Sequence, residues 1–94
     1  MRRKIVAGNW KLHGDRAFAH RLVDAIAAVP SPPGVERVIL PPLPYLGELA
    51  KHCAACDLRF GAQDVSANAQ GAYTGEVSAS MLADIGASYG LVGH

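Results

Sequence analysis

The chain has 94 residues, half of them hydrophobic and 18% charged, which points to one modest domain with a packed core and excludes wholesale disorder. The net charge is +1 and, beyond Arg2, Arg3 and Lys4, the basic residues are scattered, so there is no concentrated basic face for nucleic acid. No apolar run approaches a membrane span, and the run after Lys4 is too short for a signal peptide, so a soluble cytoplasmic protein without membrane contact is expected.

Residues 4–7, Lys-Ile-Val-Ala, predict a short buried strand closed by Gly8. Asp15 is placed to cap a helix whose apolar face carries Phe18, Leu22, Ile26 and Val29, widened by Ala19 and Val23. Pro30, Pro32, Pro33 and Gly34 stop that helix and turn the chain. A second strand spans residues 35–40 and is cut off by Pro41 and Pro42. Leu46, Leu49, Ala50 and Cys53 fall at i, i+3, i+4 and i+7, the signature of a second helix.

A third strand is expected over residues 58–62, followed by "QDVSANAQGAYTG", a polar, small-residue stretch with no periodicity. Ser78 then caps a third helix bearing Met81, Leu82 and Ile85 and ended by Gly86. Residues 89–92 predict a fourth strand, before Gly93 and His94. The order βαβαβαβ argues for a parallel sheet with helical crossovers, in one segment over residues 1–94 with no linker. Periodicity does not distinguish a small open sheet from part of a closed barrel, since a complete eight-unit barrel needs about 250 residues.

Cys53 and Cys56 form a C-x-x-C beside His52. Structural zinc needs four ligands, and there is no second cysteine pair. A redox C-x-x-C usually opens a helix, where the dipole lowers the thiol pKa, whereas this pair closes one. Two free, partly buried thiols are therefore expected, with no metal and no cofactor.

In parallel α/β folds, sites form at the carboxyl ends of the strands. Asn9 and Lys11 follow the first strand, Gln63 and Asp64 the third, and His94 the fourth. A cation, an amide and an imidazole converging at one rim suit an anionic substrate with a carbonyl to polarise. The phosphate-loop and dinucleotide motifs are excluded by spacing: Asp15 follows Gly14 where the former needs lysine, and no G-x-G-x-x-G follows a strand. Taken singly, Asn9 also suits turn chemistry beside Gly8, and Trp10 suits packing.

Three stretches in order resemble the triosephosphate isomerase family: "AGNWKLHG", "PPLPYL" and "GAQDVSANAQGAYTGEVSASMLADIGASYGLVGH". The first is similar to the family's Gly-Asn-Trp-Lys-Met-Asn-Gly loop. The last is similar to its long third loop, third helix and the strand leading to Gly-His-Ser-Glu-Arg-Arg. The resemblance covers residues 5–94 and implies the first half of a (β/α)₈ barrel. It implies interconversion of dihydroxyacetone phosphate and glyceraldehyde 3-phosphate through an enediol(ate), with neither metal nor organic cofactor.

Carried onto these residues, the resemblance makes Asn9 and Lys11 substrate-binding, Lys11 supplying positive charge to the phosphate and the developing oxyanion. His94 becomes the electrophile, a neutral imidazole tuned by a helix N-terminus, a property long established for this family. The loop over residues 63–76, with Gln63, Tyr73, Thr74 and Gly75, would enter the partner subunit of a homodimer, Thr74 approaching the neighbour's Asn9 and Lys11. Leu12 replaces the usual methionine, a volume-conserving swap, and His13 replaces the usual asparagine, so one turn hydrogen bond is made differently or lost. The family's glutamate base and its later phosphate-gripping loops fall outside these residues, so activity is expected only with the rest of the barrel. The alternatives are a catalytically inactive fragment or a small open α/β module that binds a phosphorylated metabolite.

Overall fold

A computed structural model describes residues 2–94. Four strands and three helices alternate: β1 (Lys4–Asn9), α1 (Arg16–Ala27), β2 (Val35–Leu40), α2 (Leu43–His52), β3 (Leu58–Ala62), α3 (Ala79–Asp84) and β4 (Tyr89–Gly90). The strands lie parallel in the order β1-β2-β3-β4, each beside its sequence neighbour, and curl into half of a (β/α)₈ barrel. None of the described helices is long and apolar enough to cross a membrane.

Two-residue alternation divides the strands between two faces. Ile39, Leu58, Phe60 and Ala62 face the helices and join Ala19, Val23, Leu46, Leu49 and Leu82 in one core. Full burial of a leucine such as Leu46 or Leu49 stabilises the fold by about 1.5–3 kcal/mol. The concave face carries Glu36, Val38 and Leu40 from β2, Arg59 and Gly61 from β3, and Tyr89 from β4. There Glu36 accepts a hydrogen bond from the Tyr89 hydroxyl and lies 3.5 Å from Arg3 and 3.6 Å from Arg59. The Tyr89 bond above all, then Arg3 and Arg59, holds the Glu36 carboxyl below its usual range, and the same bond pushes the Tyr89 hydroxyl up. Only glycine fits at position 61, since a Cβ would stand 2.6 Å from Leu40 Cδ2 and 2.8 Å from Tyr89 Cβ.

Both polar caps appear as the sequence predicts. Asp15 Oδ1 accepts from Phe18 N at 2.8 Å, and Ser78 Oγ accepts from Met81 N at 3.2 Å. The buried stripe of α1 is narrower than predicted: Ala19 and Val23 form its centre, while Phe18 is 39% and Val29 61% exposed. β1 runs two residues past the predicted end because its ladder with β2 continues to Asn9↔Leu40. β4 is shorter than predicted, with pairing to β3 stopping at Gly90. One further bond, Leu91 N to Ala62 O at 3.0 Å, follows it.

The outer surface between α1 and α2 carries two parallel rungs. His20 Nε2 lies 2.6 Å from Glu48 Oε2, and one turn later His52 Nε2 lies 2.8 Å from Asp24 Oδ1. The two imidazoles meet edge to face, 4.6 Å apart. The hydrogen bond from His20, then the charge of Arg16, lowers the Glu48 pKa. At the amino edge of the sheet, Arg37 donates to Ser31 Oγ at 2.7 Å, Ile26 O at 3.0 Å and Asp57 Oδ1 at 3.0 Å. Its guanidinium thereby adds a second donor to the Ile26 carbonyl in the last turn of α1, which also accepts from Val29 N at 3.1 Å.

The expectation of two free thiols is overturned, because Cys53 and Cys56 are joined by a disulfide. Cys53 is the C-cap of α2, and the tight turn that follows brings the two Cα atoms to 5.3 Å, within disulfide reach.

Candidate active site at the carboxyl rim

The parallel arrangement delivers the ends of β1, β2 and β3 to one rim, and a small hydrogen-bond knot ties them there. Asn9, the last residue of β1, accepts Lys11 N on Oδ1 at 3.0 Å, the Asx turn its type and position favour. Trp10 N extends the ladder to Leu40 O at 3.1 Å. Just past β3, Gln63 Nε2 donates both to Leu40 O and to Lys11 O, each at 2.9 Å.

Lys11 is consequently held through its N–H and its carbonyl at once. Its φ of +54° makes it the one non-glycine residue with positive φ among the described residues. That left-handed conformation costs an L-residue about 1–2 kcal/mol, so it persists only where neighbours impose it. Asn9 and Gln63 do so here. The loop is also held from behind, where the Trp10 indole meets Phe18 edge to face at 6.2 Å on the first turn of α1. Trp10 is therefore a packing residue, partly buried against the core.

The backbone is fixed while the charge stays available. Lys11 is exposed and has no ion-pair partner among the described residues, unlike Arg3, Arg16, Arg37 and Arg59. A shallow cleft of about 210 Å³ adjoins Gln63, but Asp64 and Glu76 contribute to its wall, which suits an anion poorly. The cationic side of the rim is the Lys11 side.

The remaining predicted residues are less closely gathered. His94 lies exposed four residues beyond β4, and no hydrogen bond joins it to Asn9, Lys11 or Gln63. Tyr73, Thr74 and Gly75 occupy an exposed excursion, with Tyr73 O accepting from Glu76 N at 3.0 Å and the Tyr73 ring lying over Gly71. Ser66 and Ser78 pair at its base, where Ser66 N donates to Val77 O at 2.8 Å. Leu12 is almost wholly exposed, and nothing in the structure explains His13. Sequence reasoning missed the internal duty of Gln63, a grip on backbone carbonyls that leaves no pattern in side-chain spacing.

The geometry presents a cation on a strained, immobilised backbone at the carboxyl edge of a parallel sheet. The family model for triosephosphate isomerase matches residues 4–94. The whole chain is 71% identical to a triosephosphate isomerase of Xanthomonas euvesicatoria pv. vesicatoria, 70% to one of Xanthomonas campestris pv. campestris and 65% to one of Stenotrophomonas maltophilia. In each comparison it spans 38% of the relative's length.

Proposed function

This chain belongs to the triosephosphate isomerase family, and from that premise we propose that, within a complete barrel, it interconverts dihydroxyacetone phosphate and glyceraldehyde 3-phosphate. The observation that carries this reading is the fixed Lys11, a cation with no ion-pair partner among the described residues, held by Asn9 and Gln63 where a phosphorylated substrate would dock.

The chemistry follows from what each group is able to do. A base outside residues 1–94 removes a carbon-bound proton next to the substrate carbonyl, and negative charge moves to the carbonyl oxygen. Lys11 offsets that charge and the phosphate's, and its fixed backbone means little reorganisation as charge develops. His94, as a neutral imidazole, donates a hydrogen bond to the same oxygens and passes a proton between them. Asn9 serves mainly by holding Lys11. The reading places the protein in the cytoplasm as a homodimer, with Tyr73, Thr74 and Gly75 reaching the partner and Gln63 at the root of that loop. Neither nucleic acid nor membrane has a part in it.

Lys11→Ala in the full-length protein tests the assignment through steady-state kinetics with glyceraldehyde 3-phosphate. Loss of one positioned electrostatic group is expected to lower kcat/KM by about 10²–10³-fold, with thermal stability unimpaired. Near-normal turnover would remove Lys11 from the site.

A further inference from the structure

We propose that Cys53 and Cys56 form a reversible dithiol–disulfide site whose exchange partners are low-molecular-weight thiols and disulfides. The inference stands independently of the isomerase reading. Three observations carry it. The two sulfurs are bonded across a single turn, three residues apart, so the cross-link joins no distant parts of the fold. Cys56 is half-buried, whereas Cys53 is buried in the core, so Cys56 is the more open of the two to a small reagent. Cys56 Sγ also lies 3.0 Å from Cys53 O. The disulfide sulfur has no proton to donate, but the thiol formed on reduction finds that acceptor already in place. The backbone thus accommodates both redox states.

In the reductive direction a small thiolate attacks Cys56 Sγ. A mixed disulfide forms as the Cys53–Cys56 bond breaks, and the electron pair leaves on Cys53 Sγ, which takes a proton. A second small thiolate attacks the reagent sulfur of the mixed disulfide and releases Cys56, which is protonated in turn. The protein gains two electrons and two protons, and two small thiols become one small disulfide. The leaving Cys53 thiolate faces the negative pole of α2 and apolar core, both unfavourable to it, so exchange is slow. This is the chemistry of a stored state, not of a turning-over oxidoreductase.

The consequence is mechanical. Cys56 immediately precedes Asp57, whose carboxylate receives Ser31 N at 2.9 Å and Arg37. Oxidation stiffens the turn that presents Asp57 to this brace, at the amino edge of the sheet and away from Lys11.

The test equilibrates the protein, as purified, in glutathione buffers of graded reduced-to-oxidised ratio. Acid quenching, alkylation and peptide mass spectrometry then follow the two cysteines. The peptide is expected to pass reversibly from doubly alkylated to unalkylated, and the oxidised protein to melt a few degrees higher. Cysteines alkylated throughout, a bond that resists reduced glutathione, or one melting temperature for both states would each overturn the proposal. Cys56→Ser should abolish the redox-dependent melting difference, and its persistence would place the effect elsewhere. Should that variant not fold, the titration of the unaltered protein decides alone.

Discussion

The two edges of the sheet use the same kinds of side chain to opposite ends. At the amino edge, Arg37 is bonded to three oxygens from three segments of chain, and Glu36 on the concave face gathers Arg3, Arg59 and Tyr89. Charge there is matched within the fold. At the carboxyl rim the polar groups bind backbone instead: Asn9 and Gln63 hold the peptide groups of Lys11, whose ammonium group has no counter-ion among the described residues. Matched charges neutralise one another within the fold, whereas a fixed cation with no partner among the described residues is available to an incoming anion at the cost of local strain. The lesson is that polarity alone does not mark a site; what matters is whether a charged group meets a counter-charge within the fold.

That contrast is open to direct attack. Arg37→Ala is the largest blow to the amino edge and should cost about 2–3 kcal/mol in urea unfolding, since hydrogen bonds to a charged group are worth more than neutral ones. The same change should leave kcat/KM of the full-length protein within about twofold, as it lies at the opposite edge. A comparable loss of rate would break the division between the edges. Lys11→Gly makes the reverse claim. It should raise stability by about 0.5–1 kcal/mol, because release from the left-handed strain outweighs the backbone entropy that glycine adds to the unfolded chain, while turnover collapses.

The smallest effect concerns pH. The backbone N–H of Ser31 first, then its side chain and Arg37, hold the Asp57 carboxyl down from 3.8 to about 2. Because its pKa is lower in the folded state, Asp57 contributes stability that is present above about pH 4 and lost as pH falls toward 2. Asp57→Asn should flatten the acid limb of thermal stability in that window and leave the pH dependence of turnover unaltered. An unchanged acid limb would remove Asp57 from the brace.

Much of this architecture was legible because local chemistry and the final fold agree. Asp15 and Ser78 cap helices in any context, proline pairs stop them, and the apolar runs of β2 and β3 appear at their predicted limits. The misread strand ends and the misread face of α1 share a cause in contacts distant along the chain. Whether β1 ends at Ala7 or Asn9 depends on how far β2 offers partners, and the length of β4 depends on β3. Which side of α1 is buried depends on the spacing between helix and sheet, which favours Ala19 and Val23 over bulkier Phe18. The sequence places Asn9 and Lys11 at the end of the first strand, where the structure has them, but lysine carries no sign that it will adopt a positive φ. The disulfide was missed because helix position argues about thiol acidity and says nothing about the distance between two sulfurs.

The pairing of Ser66 with Ser78 bears on how the long excursion behaves. By joining the two ends, it turns the segment between them into a closed ring standing on a clamp. The entropy of bringing those ends together is met inside the chain, so an encounter with another surface need order only the tip.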